Sequence, residues 1–450
     1  MKNAKYTRET ISTALKMAFP SVIESFFVAF AGLIDSLMVS KLGTNAVASV
    51  GLTTQPKFMG LSIFFAINVS VSALVARRFG EKKQESGNNI LCSALFLVLV
   101  LATILSVLFV VFASPIISLC GSTAETHDGA VQYFQIIMGG MIFNCIQMVI
   151  SSSLRGIGNT KVTMRTNITS ALVNIVFNYL LIGGNLGFPA WGIRGAAIAT
   201  VLGTVVSSIM SIVSIMNKNA FISIPYIINN KVKPSLLAIK NIIKVGYGIF
   251  FEQALMRIGF MLTAIMAANQ GTGAMAAHQV GMNLLGLSFS IGDGLQAAAV
   301  ALIGRSLGEK KPDLARQYGS SCQVLGGIGS IVLAIVYLFG SRFLMGLYFD
   351  ETEIVNMGVS IMNLSIIILL FQIRQVIYMG CLRGAGDTLF TAAVSTFSVT
   401  LVRTVFSYVC CYTLGFGLVG IWMGILADQI SRFTFASIRF KAGKWINIKI

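Results

Sequence analysis

The sequence predicts an all-α polytopic membrane protein whose twelve transmembrane helices form two pseudo-symmetric six-helix bundles. Three observations carry this reading. The chain of 450 residues is 55% hydrophobic and only 11% charged, where a soluble domain carries about 25% charged residues. Twelve apolar runs can be counted, each long enough to cross about 30 Å of hydrocarbon as a helix. One block of sequence occurs twice, 228 residues apart.

Taken in order, the runs of the first half are 14–40, 46–76, 90–112, 130–153, 166–183 and 193–216. Those of the second half are 243–268, 274–304, 320–340, 357–381, 390–412 and 418–438. The start of the chain, Met1 to Arg8, is polar and basic. The run that follows is about 25 residues long, the length of a span and too long for the apolar core of a signal peptide. Run one pairs with run seven through Lys16/Lys244 and Glu24/Glu252. The entry to run two, Gly43-Thr44, recurs as Gly271-Thr272, and its exit, Arg77 and Gly80-Glu81-Lys82-Lys83, as Arg305 and Gly308-Glu309-Lys310-Lys311. After run four, Leu154-Arg155-Gly156, Gly158 and Thr160 recur as Leu382-Arg383-Gly384, Gly386 and Thr388. After run five, Leu186-Gly187-Phe188 recurs as Leu414-Gly415-Phe416, and Gly192-Ile193 as Gly420-Ile421. The expected division is an N-lobe of residues 1–217, a linker of 218–240 and a C-lobe of 241–450. The linker holds Pro225, Pro234 and several lysines, and its apolar middle suits a membrane surface. Duplicated bundles with a site near the midplane are how many secondary transporters are built.

The net charge of +17 invites a nucleic-acid partner, but its distribution argues against one. Lys and Arg gather in alternate loops, an orientation signal. The cytoplasmic set includes Lys2, Lys5, Arg77, Arg78, Arg155, Lys233, Lys310, Arg383, Arg439 and Lys449, and the outer set only Lys41, Arg194 and Arg342. Both termini are therefore expected in the cytoplasm of a cell whose plasma (inner) membrane holds the chain. Seven scattered cysteines and two distant histidines lack metal-ligand spacing, and the cysteines read as small packed hydrophobes. The glycine-rich turns lack the lysine of a phosphate-binding loop.

Eight ionisable residues lie well inside the runs: Glu24, Asp35, Glu252, Arg257, Asp293, Arg374, Arg403 and Asp428. Each is unfavourable by about 2.5–3.5 kcal/mol at a bilayer centre, so they face a wet cavity or one another. Asp35 has no basic residue within one helical turn. It reads either as a carboxylate capped by a neighbouring helix or as one that trades a cation or proton for substrate. Asn174 and Asn178, four apart, share a face of run five, and with a hydroxyl from Thr200 they form an oxygen-rich nest. A one-residue register shift aligns Val176-Phe177-Asn178-Tyr179 with Val405-Phe406-Ser407-Tyr408. Asn174 then corresponds to Arg403, Thr200 to Asp428 and Asp35 to Thr263. The expectation is a structural ion pair, Arg403–Asp428, standing where the first half holds a mobile cation, with Arg432 as a competing partner. A Glu252–Arg374 pair is a further expectation. Asp293, between two glycines, is assigned either to packing or to a cavity.

With these residues in view, the chain resembles the MATE (multidrug and toxic compound extrusion) transporters over essentially its full length. The resemblance rests on the six-plus-six halves, the Leu-Arg-Gly-x-Gly-[Asn/Asp]-Thr and Gly-Glu-Lys-Lys motifs, Ile34-Asp35-Ser36-Leu37-Met38, and Phe250-Phe251-Glu252-Gln253. It implies a V-shaped pair of lobes, antiport driven by Na⁺ or H⁺, and export of cationic or amphipathic compounds. It also implies that Asp35 is the coupling aspartate, that Asn174 belongs to the N-lobe cation site, and that Glu252 is the glutamate of the NorM-like branch. Two departures are visible: Asn178 stands where the family often has Asp, and Gln372 where the NorM-like branch has Asp.

The functional expectation is a secondary multidrug antiporter exchanging small organic cations or amphipathic drugs for H⁺ or Na⁺, with H⁺ favoured because Asn178 is not an acid. Asp35, Asn174, Asn178 and Thr200 form the coupling site, the first three being metal ligands only if the ion is Na⁺. Glu252, Arg257, Asp293, Gln372 and Arg374 line a C-lobe cavity. No other cofactor and no nucleic acid are expected, and the chain is expected as a monomer in the lipid bilayer. The alternative is a lipid-linked precursor or oligosaccharide flippase, for which arginines would dominate the cavity. A channel would show a repeated filter motif and an enzyme a nucleophile–base or His–metal constellation; the sequence has neither.

Overall fold

The computed structural model describes residues 6–448, so Lys2, Lys5 and Lys449 of the orientation set lie outside the described residues. Helices in chain order are α1 (Arg8–Ser40), α2 (Thr44–Gly80), α3 (Gln84–Val111), α4 (Ala113–Leu119), α5 (His127–Gly139), α6 (Met141–Gly156), α7 (Thr160–Gly183) and α8 (Gly192–Ser214). The short α9 (Ile224–Asn229) precedes α10 (Leu236–Ala268), α11 (Thr272–Gly308), α12 (Pro312–Gly346) and α13 (Thr352–Ala385). Then come α14 (Thr388–Thr396), a π segment Phe397–Arg403, α15 (Thr404–Tyr408), a second π segment Val409–Thr413, and α16 (Gly417–Ala442).

Among the described residues ten helical stretches are long and apolar enough to cross a membrane, Thr388–Thr413 counting as one, and α5 with α6, bent by 44°, makes an eleventh. The bend falls at Gly139-Gly140, where run four was expected to be one continuous helix. α16 carries Asp428, Arg432, Arg439 and Lys441, and this charge keeps it out of the apolar set.

The chain divides into two compact units, Ile23–Lys244 and Met1–Val22 with Val245–Ile450. The boundaries differ from the expected halves in two places. The first turns of α1 belong with the second unit: Thr10 accepts a 2.9 Å hydrogen bond from Ser321 of α12, and Ala14 and Ala18 join its core. The linker belongs with the first. Asn88 of α3 donates to the Phe221 carbonyl at 2.7 Å and accepts from the Ser223 amide at 3.0 Å. The Ser235 amide donates to Ser93 at 2.9 Å.

The repeated motifs do the same physical work in each unit. In lipid, helices associate through close backbone approach and polar contacts. A Cβ on Gly156 would lie 2.8 Å from the Ser72 carbonyl oxygen of α2, and one on Gly384 2.6 Å from that of Val300 on α11. Ser72 and Val300 are themselves repeat mates, so the motif glycine lets α6 and α13 lie against α2 and α11 at the same depth. In the Gly-Glu-Lys-Lys turns, Lys82 and Lys310 both adopt positive φ (56° and 59°). Glu81 bridges Arg78 (2.7 Å) and Lys83 (3.1 Å), and Glu309 bridges Arg305 (2.9 Å) and Lys311 (3.1 Å).

The units differ in α7 and its counterpart. α7 is regular α-helix throughout. The repeat offset is 228 at Thr160/Thr388 and 229 at Val176/Val405, so the second unit carries one extra residue between them. The π segment Phe397–Arg403 lies in that interval; an inserted residue in an α-helix is commonly absorbed as a π turn. The turn ends on Arg403, so the insertion sets the direction of the one arginine in that helix.

Candidate functional site

Each unit buries one Glu–Arg pair at the same place in the repeat. Glu24 of α1 accepts from Arg155 at the end of α6 and from Asn167 of α7. Glu252 of α10 accepts from Arg383 of α13 at 2.6 Å, with side chains 2% and 10% exposed. This explains the arginine of the Leu-Arg-Gly motif: it reaches from one helix end to a carboxylate inside the neighbouring span. The expected Glu252–Arg374 pair does not form. Arg374 lies nine residues before Arg383, about 13 Å along α13. It contacts Gln323 at 3.4 Å and lies over the Phe433 ring at 5.3 Å.

In the first unit the carboxylate of Asp35, midway along α1, accepts a hydrogen bond from the Asn178 amide of α7. The same amide nitrogen lies 3.4 Å from Oδ1 of Asn174 one turn earlier, and Asn174 donates to Thr200 Oγ1 of α8 at 3.1 Å. Asp35, Asn178, Asn174 and Thr200 therefore form one polar chain across three helices. Asn178 is fully buried and its Oδ1 has no hydrogen-bond partner among the described residues. Among the same residues Asp35 has no ion pair within 4.0 Å.

Two neighbours escaped the sequence reading. Lys57 of α2 acts electrostatically on Asp35, and its ammonium lies 5.5 Å from the Phe58 ring centroid. It is a ninth charge inside a span, and the signal was available: Lys57 sits in the middle of run two with Leu285 as its repeat mate. Tyr133 of α5, buried in the core with Val39 and Ala196, lies within the field of Asp35 and beside Thr200. Nothing in its spacing marks it, since the α5–α6 bend was not legible. A separate cavity of 480 Å³ opens between α2 and the 120–126 turn, lined by Gly51, Leu52, Gln55 and Thr126 among others, without a charged side chain.

The second unit has a different constellation at the equivalent helices. Asp428 of α16 is fully buried and receives Nε and Nη2 of Arg432, both at 2.8 Å. Arg403 stands 3.8 Å from the same carboxylate without a hydrogen bond. The expected Arg403–Asp428 pair is thus the looser of two, because Arg432, one turn along the same helix, presents its planar fork to both oxygens. Thr263, the mate of Asp35, donates within its own helix to Phe260 at 2.9 Å. Of the remaining residues assigned to a C-lobe cavity, Gln372 accepts from Ser288 at 3.2 Å. Arg257 is half-buried on α10. Asp293 is exposed on α11, which runs as one continuous helix through its flanking glycines. Glu252, Gln372 and Arg374 are each engaged with a different partner.

Known proteins share this organisation. The MatE family profile matches residues 20–180 and, again, 249–409, the two halves of the repeat. The chain is 25% identical over 431 residues to the probable multidrug resistance protein NorM of Thermotoga maritima, covering 96% of this chain and 92% of that one. It is 25% identical to the uncharacterized transporter YisQ of Bacillus subtilis, covering 96% and 94%. Among solved structures, an outward-facing multidrug resistance MATE family transporter of the MOP superfamily aligns with a TM-score of 0.89 at 20% identity, over 98% of this chain and 99% of that one. A Pyrococcus furiosus MOP superfamily transporter, whose reversed binding-pocket polarity suggests a different function for it, aligns with a TM-score of 0.88 at 20% identity, over 98% and 99%. The doubled profile, covering both halves of a duplicated helical membrane protein, identifies this chain as a member of the MATE family, a secondary transporter and not an enzyme.

Proposed function

We propose that this chain is a proton-coupled antiporter that exports cationic or amphipathic organic compounds across the plasma membrane, with twelve spans and both termini in the cytoplasm. α16 is the twelfth span, with Asp428 paired to Arg432 and Arg439 to Asp387. The observation that carries the reading is Asp35: a carboxylate in mid-span, hydrogen-bonded by an amide and without an ion-pair partner within 4.0 Å among the described residues. Such a group takes up and gives back one cation per cycle, whereas Glu24 and Glu252 are already neutralised by arginines. Protonation of Asp35 removes the charge that holds a cationic substrate. The two ligands exclude each other to the extent that they share the site or favour different states. Asn174, Asn178 and Thr200 orient the carboxylate, and Asn178 in place of an acid leaves one negative charge, enough for one proton. The names of relatives such as the Thermotoga maritima protein support drug export as the role.

The test is substrate counterflow in proteoliposomes with pH and Na⁺ gradients imposed separately. A pH gradient should drive uptake of an organic cation with Na⁺ absent. A Na⁺ gradient that drives it at clamped pH would reassign the ion and make Asp35, Asn174 and Asn178 its ligands. The surplus arginines of the second unit favour one other reading, a flippase for anionic lipid-linked precursors. Transport of such a substrate with no response to organic cations would establish it.

A further inference from the structure

We propose that the second unit contains a binding centre for a small monovalent anion, built on Arg403 with His278 and Trp422 as further donors. Arg403 is 1% exposed and lies over the Phe260 ring at 4.7 Å, out of reach of water on that side. Its one nearby carboxylate is already taken. Both oxygens of Asp428 receive Arg432 at 2.8 Å, while Arg403 Nε stays 3.8 Å away. Two guanidinium groups thus face one carboxylate, and the buried cluster keeps a net positive charge. Its donors are in surplus as well: Arg403 Nε and Nη1 have no hydrogen-bond acceptor among the described residues. Two rings of the same unit complete the case. His278 of α11 feels the charge of Arg403 and packs edge-on against Trp422 of α16 with ring centroids 5.8 Å apart. Their Nδ1 and Nε1 atoms are likewise without partners.

A buried guanidinium needs both charge compensation and acceptors for its N–H groups. One small anion supplies both, and indole N–H and imidazole N–H are fitting additional donors. None of these three donors recurs in the first unit, where Val50, Arg194 and Asn174 occupy the mates of His278, Trp422 and Arg403. The centre does not depend on Asp35 or on the coupling ion. The anion is chloride or the carboxylate of a transported compound; both offer one negative charge to the same donors.

The experiment is thermal unfolding of the purified full-length protein at fixed ionic strength. Gluconate is replaced stepwise by chloride in one series and by benzoate in another. A saturable rise in Tm with chloride assigns a resident halide; a rise with benzoate alone assigns a cargo carboxylate. Arg403→Met should abolish the response. Trp422→Phe keeps an aromatic ring and removes one N–H donor, and it should raise the half-saturating concentration about tenfold. Asp35→Asn should leave the response intact, which separates this centre from the coupling reading. A Tm indifferent to anion identity, or a Trp422→Phe variant with the half-saturating concentration of the wild type, overturns the proposal.

Discussion

The first unit places Asn174, Asn178 and Thr200 where the second places Arg403, Ser407 and Asp428. The same pair of adjacent helices therefore serves a single acidic side chain in one unit and an Arg–Asp–Arg cluster with one positive charge in surplus in the other. The contrast extends to the helix opposite: Asp35 accepts from a neighbour, whereas Thr263 folds its hydroxyl back onto its own helix. What the units share is equally instructive. The Glu–Arg pairs, the motif glycines and the positive-φ lysines recur at the same offset, and all of them hold helix ends and turns. Duplication has preserved the frame and let the mid-span chemistry diverge.

The largest stability effects should come from the shared frame and from Asp428. Asp428→Asn leaves Arg432 and Arg403 buried without a carboxylate, and breaking a buried pair costs about 3–5 kcal/mol in soluble proteins. Because Arg432 holds both oxygens, Arg403→Met should lower the melting temperature less than Asp428→Asn does. The reverse order would restore Arg403 as the principal partner. If Asp428→Asn melts like the wild type and loses only transport, Asp428 belongs to the working site.

Next come the repeat mates Glu24 and Glu252. Glu252→Gln should be the more damaging, since its partner Arg383 is 10% exposed against 23% for Arg155. Its loss falls in the same range of about 3–5 kcal/mol, and that of Glu24→Gln at or below the lower end. Parallel melts of the two purified variants read this directly, and equal losses would show that burial of the arginine does not set the difference.

Lys57→Leu installs the residue of its repeat mate, Leu285. Removing a positive charge that acts on Asp35 should tighten cation binding there by several-fold, measured as the half-saturating concentration of an organic cation in efflux. A weaker affinity would mean that Lys57 shapes the site sterically.

The smallest effect is at the Gly-Glu-Lys-Lys turns. Burial pushes the Glu81 and Glu309 carboxyls up, but hydrogen bonds from Arg78 and Lys83, and from Arg305 and Lys311, outweigh it and hold both below the ordinary 4.5. A depressed folded-state value means the stabilisation is complete above the ordinary value and is lost as pH falls through the depressed one. These half-exposed pairs are worth less than about 1 kcal/mol. Glu81→Gln with Glu309→Gln should therefore lower Tm slightly at pH 7, by a gap that shrinks as the pH falls below the ordinary 4.5 and through the depressed values. A gap that persists in acid would point to packing.

Much of the frame was legible because it is written twice. An offset shared by Glu24, Arg155, Glu252 and Arg383 is a pairing code, and it points to Arg383 rather than to Arg374, which merely lies inside a span. The polar chain from Asp35 to Thr200 was readable because Asn174 and Asn178 sit one turn apart. Lys57 and Tyr133 were not found for different reasons. Lys57 needed only to be counted with the other span charges. Tyr133 depends on the bend at Gly139-Gly140, a tertiary feature that no local pattern announces. The competition of two arginines for Asp428 follows from the π turn before Arg403, which the one-residue change of offset signals but does not orient.

The most direct test of the central claim, that the exchangeable charge resides in the first unit alone, is organic-cation efflux by Asp35→Asn in proteoliposomes with a pH gradient imposed and Na⁺ absent. The account predicts a folded variant that still binds substrate and shows no acceleration by the gradient, because a neutral amide needs no counter-ion and carries no proton. Wild-type acceleration in Asp35→Asn, with the response lost instead in a folded Asp428→Asn or Glu252→Gln variant, would contradict it.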